Sequence, residues 1–211
     1  MPRPLPTELV APESAALITQ ECQAGVLGEK GGAMSALGEE AHREAIPNIA
    51  RLVRAARKAG VQVVHCTVQF RPDRLGSNHN APLFRGAATG ASAGGSPMTP
   101  GAPGAALLSD LGPEESDILL PRWRGLGPMG GTELDPLLRN LGVTTIVGVG
   151  VSVNVAMQNF VMDAVNLGYD FVLPRDAVAG SPKEYADSVI KYTLSLLTTV
   201  TTTDDLVAAW S

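Results

Sequence analysis

The chain predicts an α/β fold of three layers, α/β/α, in which a doubly wound six-stranded parallel sheet lies between helices. Three observations carry that expectation. Apolar runs alternate with helical patterns along most of the 211 residues. The connections between them are short, which suits strand–helix–strand units. The runs are nearly continuous rather than alternating, the mark of strands covered on both faces.

Strands are expected at 15–21 (AALITQE), 61–68 (VQVVHCTV), 117–122 (DILLPR), 144–150 (TTIVGVG), 170–176 (DFVLPRD) and 200–203 (VTTT). Between the first two, Pro47 to Lys58 places Ile49, Leu52, Val53 and Ala56 on one helical face and stops at Gly60. Thr132 to Asn140 opens with Thr132 and Asp135 in capping-box spacing and ends before Gly142. The stretch from Val153 to Leu167 is apolar on most sides, so a largely buried helix is expected, ended by Gly168. The last long helix starts SPKE, with Ser181 as cap, Pro182 in the first turn and Glu184 three residues on.

One region breaks this rhythm. Residues 71–113 are rich in glycine and proline. A loop so long in a compact domain either serves function or lacks order. Its first half, RPDRLGSNHNAPLF, carries groups able to order over a site or a subunit contact, and its second half reads as a linker. With that excursion included, 1–211 is read as a single domain.

Composition narrows the function classes. Apolar residues make up 45% and aromatics only 4%, so the core is expected to be aliphatic. The formal charge is −5 and the basic residues form no cluster, which argues against nucleic-acid binding. No apolar run reaches the length of a membrane span, and the N-terminal stretch lacks a signal peptide's apolar centre. No membrane association is therefore expected, and a cytoplasmic location is. Cys22 and Cys66, in or beside strand-like runs, read as buried free thiols.

In open parallel sheets, ligands bind beyond the carboxyl ends of the strands, where the strand order reverses. Those ends carry Glu21 after the first run, and Arg122, Trp123 and Arg124 after the third. The fourth ends on Ser152, Val153 and Asn154, the second on His65 and Cys66, and the fifth on Arg175 and Asp176. Each has a structural alternative. Arg122 can be the ion-pair partner of Glu21, Trp123 can fill a core or an interface, and Asp176 can hold its own loop.

At these residues the chain resembles a known family. ALITQECQ is similar to the ALLVIDMQ opening of the isochorismatase-like cysteine hydrolases, which include nicotinamidases, carbamoylsarcosine amidases and isochorismatases. GGTELDPLLRNLGVTTIVGVGVSVNVAMQNFVMDAVNLGYDFVLPRDAVAG resembles that family's long second block. The resemblance implies strand order 3-2-1-4-5-6, which sets Glu21 against the GVSVN turn. It also implies a cis peptide at that turn and a dimer or tetramer.

The family's Asp, Lys and Cys triad falls on Glu21, on Arg122 (or Arg124), and on Ala156. Glutamate keeps a carboxylate and arginine keeps a cation that will not release its proton near neutral pH, but alanine removes the nucleophile. Ser152 and Cys22 are weak substitutes. Cys22 follows Glu21 and points to the other face, while the Ser152 hydroxyl is expected to cap the following helix. The D-x-H-x-x-H metal motif of the nicotinamidases is absent, and His42, His65 and His79 are scattered, so neither metal nor other cofactor is expected.

Two functional readings follow. The first is a small-molecule hydrolase with an acid/base mechanism through Glu21. Arg122 or Arg124 would hold the substrate, with Trp123, Ser152, Asn154 and Ala156 lining the pocket. That mechanism calls for a partly buried Glu21 with a raised pKa. The second is an inactive relative that binds a metabolite. A nucleotide-binding domain is disfavoured, because no G-x-G-x-x-G or P-loop follows the first strand.

Overall fold

The computed structural model describes residues 5–28, 35–85 and 98–211. β1 (Ala15–Gln20) leads through α1 (Ala24–Leu27) to α2 (Ser35–Glu40). A wide π-type turn at Ala41–Ala45 then runs into α3 (Ile46–Ala59), and β2 (Gln62–Val68) follows. After β3 (Ile118–Arg122) come α4 (Leu134–Asn140) and β4 (Thr145–Val151). A second π-type turn, Val153–Met157, opens α5 (Gln158–Asn166). The chain closes with β5 (Asp170–Pro174), β6 (Val178–Ala179), α6 (Lys183–Tyr192), β7 (Thr199–Thr201) and α7 (Thr203–Ala209).

All strand pairs are parallel, in the order β3-β2-β1-β4-β5-β7, with the two-residue β6 pairing onto the end of β4. The expected order 3-2-1-4-5-6 is met, with β7 as the expected sixth strand. β6 is a seventh, too short to register as an apolar run. Strand order across the sheet reverses between β1 and β4, where Gln20 lies opposite Gly150.

The continuous apolar runs are explained by two cores. Leu17, Val63, Val147, Val149 and Val172 face α3 and α7, while Ala16, Ile18, Val64, Ile146 and Phe171 face α4, α5 and α6. Every residue of β1 and β4 is buried. Full burial of each large aliphatic side chain contributes about 1.5–3 kcal/mol. Phe160 of α5 meets Phe171 of β5 edge-on, with centroids 5.1 Å apart, and Gly148 is small because the Phe171 ring occupies the space a Cβ would need.

Several local expectations are corrected. The helix expected from Pro47 is the end of a longer helical run, because α2 and the π-type turn precede it. Ser181 does not cap α6. Pro182 takes the cap position after a cis Ser181–Pro182 peptide, and the Ser181 carbonyl instead accepts from Asn154 Nδ2 at 2.9 Å. The Thr132–Asp135 capping box does not form. Thr132 Oγ1 donates to the Pro128 carbonyl and accepts from the Leu134 amide, and Asp135 is engaged by Arg139 and Tyr169. Part of the expected linker, 86–97, lies outside the described residues. No described helix is long and apolar enough to cross a membrane.

Asp117 stands at the head of the expected third strand, but its carboxylate turns inward instead. It accepts from Arg57 Nη2 at 2.5 Å and Nε at 3.0 Å, from the Glu114 amide at 2.9 Å, and from His65 Nε2 at 3.2 Å. An ionised carboxylate only accepts, so neutral His65 carries its proton on Nε2 and its Nδ1 accepts from the Thr19 hydroxyl at 2.8 Å. Burial holds the His65 pKa below 6.5, against the opposing pull of Asp117. Burial alone would raise Asp117, but its hydrogen bonds from Arg57, the Glu114 amide and His65 hold it below 3.8.

Both shifts act in one direction. Below pH 6.5 the unfolded chain binds protons that the folded network refuses, so stability is full above 6.5 and falls as pH drops. Thermal unfolding is expected at a lower temperature at pH 5 than at pH 8, with roughly 2–4 °C for each kcal/mol lost in a chain of this size. His65→Asn removes the part of that loss between pH 5 and 7. An unchanged pH profile in the variant would show that the loss arises elsewhere.

Candidate functional site

β1 ends at Glu21 in a left-handed turn, φ 54°, with its amide donating to the Cys66 carbonyl at 2.9 Å. This turn carries the Glu21 carboxylate past the end of the sheet while sending Cys22 into the core. The Cys22 thiol is fully buried, and burial followed by the nearby Glu21 charge pushes it up to about 12. Burial likewise pushes Cys66 up to about 12, against the pull of Arg122. Neither free thiol is a nucleophile near neutral pH.

Arg122, the last residue of β3, is buried to 5% exposure. Its Nη2 pairs with Glu21 Oε1 and also donates to the Leu126 carbonyl at 3.0 Å. Its Nε and Nη1 are buried with no acceptor. A guanidinium half satisfied in a buried setting is a standing demand for an acceptor, since an unmade hydrogen bond to a charged group is costly.

β4 delivers the third component. The Val151–Ser152 peptide is cis, and the Ser152 carbonyl accepts from Met157 at 3.0 Å to open the π-type turn. The Ser152 hydroxyl makes no capping bond, contrary to expectation. Asn154 reaches instead to the loop before α6, through Ser181, and Gly180 has no side chain because Asn154 Oδ1 lies 2.6 Å from where its Cβ would be. Ala156, buried, follows on the cavity wall. Asp176 is placed away from this wall, holding the start of α7 through the Thr203 amide and hydroxyl.

Glu21, Arg122, Arg124, Ser152, Asn154 and Ala156 border one cavity of about 430 Å³. Trp123 does not line it and is 44% exposed. Much of the remaining wall is apolar and comes from segments that carried no motif: Val26 of α1, Leu37 of α2, Phe70, Leu83, Phe84 and Met98. The segment 70–85 is tied over the site where Asn78 Oδ1 accepts from the Gly125 amide at 2.9 Å, and where the Phe70 amide donates to the Met98 carbonyl at 2.8 Å. Its polarity marks it as able to cover a site, but nothing in its spacing singles out the residues that do so. Among the described residues, no group of three His, Cys, Asp or Glu side chains is arranged to hold a metal ion.

Comparison with known proteins agrees with this architecture. Residues 15–205 match the family model of the isochorismatase domain. The chain is similar to the ureidoacrylate amidohydrolase RutB of Agrobacterium fabrum, 28% identical over 184 residues, covering 83% of this chain and 79% of that protein. RutB of Methylorubrum extorquens is 30% identical over 191 residues, covering 85% and 76%. Among solved structures, a cysteine hydrolase from Pseudomonas syringae pv. phaseolicola superimposes with a TM-score of 0.79 at 22% identity, over 100% of this chain and 98% of that one. N-carbamoylsarcosine amidase from Thermoplasma acidophilum gives 0.69 at 19% identity, over 90% and 97%.

Proposed function

The chain belongs to the isochorismatase family, and from that premise we propose that it hydrolyses a small metabolite without a covalent intermediate, using Glu21 as acid and base. The observation that carries this reading is the meeting of Glu21 and Arg122 with the Ser152–Ala156 turn across one cavity. The position that resembles the family's nucleophile holds only the methyl group of Ala156. In this reading water attacks the substrate directly. Glu21 takes a proton from the water as its oxygen bonds to the substrate carbon, and returns a proton to the leaving atom as the old bond breaks. The free Nε and Nη1 of Arg122 receive the substrate oxygen on which charge develops. The curated relatives that are amidohydrolases favour a C–N bond as the one cleaved. We further place the protein in the cytoplasm as a homo-oligomer.

One observation favours the second reading, binding without turnover. Arg122 already engages Glu21, so the site's carboxylate is partly spent on a structural pair. A turnover panel of primary amides, ureido acids and vinyl ethers, run on the parent chain and on Glu21→Gln, separates the two. Loss of a parent activity by about a hundredfold or more in the variant, the range of general acid–base catalysis, supports the hydrolase. Activity untouched by Glu21→Gln sinks the mechanism, and a parent inert across the panel favours the binding protein.

A further inference from the structure

Resting on the reading of this cavity as a ligand site, we infer that its ligand is an amphiphilic monoanion of phenylalkanoate size. It has an aromatic or branched aliphatic body and a single carboxylate-like group, and is not a small polar ureido acid. Two independent observations lead there: what the wall is made of, and which of its charges are unspent.

The body of the ligand follows from the wall. Val26, Phe70, Leu83, Phe84, Met98 and Val155 enclose most of the space, and they come from separate parts of the chain: α1, the 70–85 segment, the residue after 97, and the turn opening α5. A ureido group brings several donors and acceptors that must exchange water for partners. Such a wall offers them few partners. An apolar body gains from the same surface with every carbon it buries. Val26 belongs to one core and Met98 packs against it, but Phe70, Leu83, Phe84 and Val155 belong to neither, so this part of the apolar lining is not a by-product of the cores beneath it.

The head group follows from charge. Among the described residues, three arginines, Arg74, Arg122 and Arg124, line the cavity against the single carboxylate of Glu21. Glu21 and Arg122 pair with one another. Arg74 and Arg124 have no hydrogen bond or ion pair from their side chains among the described residues. Arg74 Cζ lies 4.2 Å from the Phe70 ring centroid, a cation–π contact that uses none of its N–H donors in a hydrogen bond. Asp73 beside it is taken by Arg71, at 2.7 Å. Arg124 rests against Gly131, where any Cβ would fall 2.9 Å from its guanidinium nitrogens. Two cations on the cavity wall without a side-chain acceptor, half-buried Arg74 and exposed Arg124, mark a local preference for an anion in a chain whose formal charge is −5.

The experiment is calorimetric titration of the full chain with 4-phenylbutanoate, its neutral isostere 4-phenylbutanamide, and 3-ureidopropanoate. The butanoate is expected to bind at least tenfold more tightly than either of the others. Arg124→Gln and Arg74→Gln, neither of which removes a side-chain hydrogen bond or ion pair seen among the described residues, should each weaken the butanoate at least fivefold and the amide no more than twofold. Phe84→Ala should weaken both phenyl compounds. Equal affinity for acid and amide, preference for 3-ureidopropanoate, or no binding of the butanoate overturns the inference. Binding needs no turnover, so an inert protein with this discrimination keeps the inference while defeating the hydrolase reading. Hydrolysis of a ureido acid, without preference for the butanoate, does the reverse.

Discussion

Gly150→Ala is expected to destabilise the chain by at least about 3 kcal/mol, through strain and overpacking together. Gly150 has φ 115°, a region that side-chain-bearing residues rarely enter. A Cβ there would fall 2.8 Å from the Gln20 amide nitrogen and closer still to the Gln20 carbonyl oxygen. Those are backbone atoms of the adjacent central strand, hydrogen-bonded on both sides, so they cannot swing away as a flexible side chain would. Relief requires β1 and β4 to part at the point where the strand order reverses. The unfolding midpoint should fall by at least about 6 °C. Because Glu21 directly follows Gln20, any folded fraction of the variant should also have a displaced carboxylate. A midpoint within about 2 °C of the parent, less than 1 kcal/mol would produce, would show that the junction is softer than its geometry implies.

Ala156→Cys is the second large effect. The wall position at 156 lies near the start of the helical run that continues as α5, where the positive end of the helix dipole favours a thiolate. The native thiols provide the contrast. Cys22 and Cys66, both buried and pushed up to about 12, are ionised at pH 7 in roughly one molecule in 10⁵. Iodoacetamide at pH 7 should therefore alkylate the thiol introduced by Ala156→Cys at least a hundredfold faster than either native cysteine, read peptide by peptide by mass spectrometry. Labelling no faster than at Cys22 would mean that position 156 does not present its side chain to the cavity as a nucleophile would need.

The parts of this molecule that were legible in the sequence are those where one physical demand dominates. A strand covered on both faces must be apolar at most positions, so β1, β2, β4 and β5 stand out despite Thr19, Gln20, His65 and Thr67 within them, and the order of the sheet follows from the resemblance. Where demands compete, the sequence misled. Asp117 reads as a strand residue by its neighbours, yet its charge is worth more paired with Arg57 and His65. Ser181 and Thr132 carry capping chemistry, but Pro182 takes the cap position in one case and the Pro128 carbonyl engages the hydroxyl in the other. β6 is two residues long and is defined by its neighbour β4 rather than by its own pattern.

The candidate site divides the same way. Glu21, Arg122, Ser152, Asn154 and Ala156 sit at strand ends, where topology alone brings them together. Trp123 sits there too, but alternation along the chain beyond β3 turns it outward while Arg122 turns in. Phe70, Arg74, Asn78, Leu83 and Phe84 had no periodicity to declare them, because the segment that carries them takes its shape from contacts with the body and not from its own spacing.

That segment has an evolutionary consequence. The groups proposed to react stand on strand ends held by the sheet, whereas much of the cavity wall is borrowed from residues 70–85, joined to the body at Asn78–Gly125 and Phe70–Met98. Chemistry and selectivity are thus drawn from different inheritances. The first would be held by the paired strands of the sheet, and the second is carried by a stretch of chain that forms no strand, so changes there need not disturb the sheet. A lineage built in this way can change its diet while keeping its skeleton.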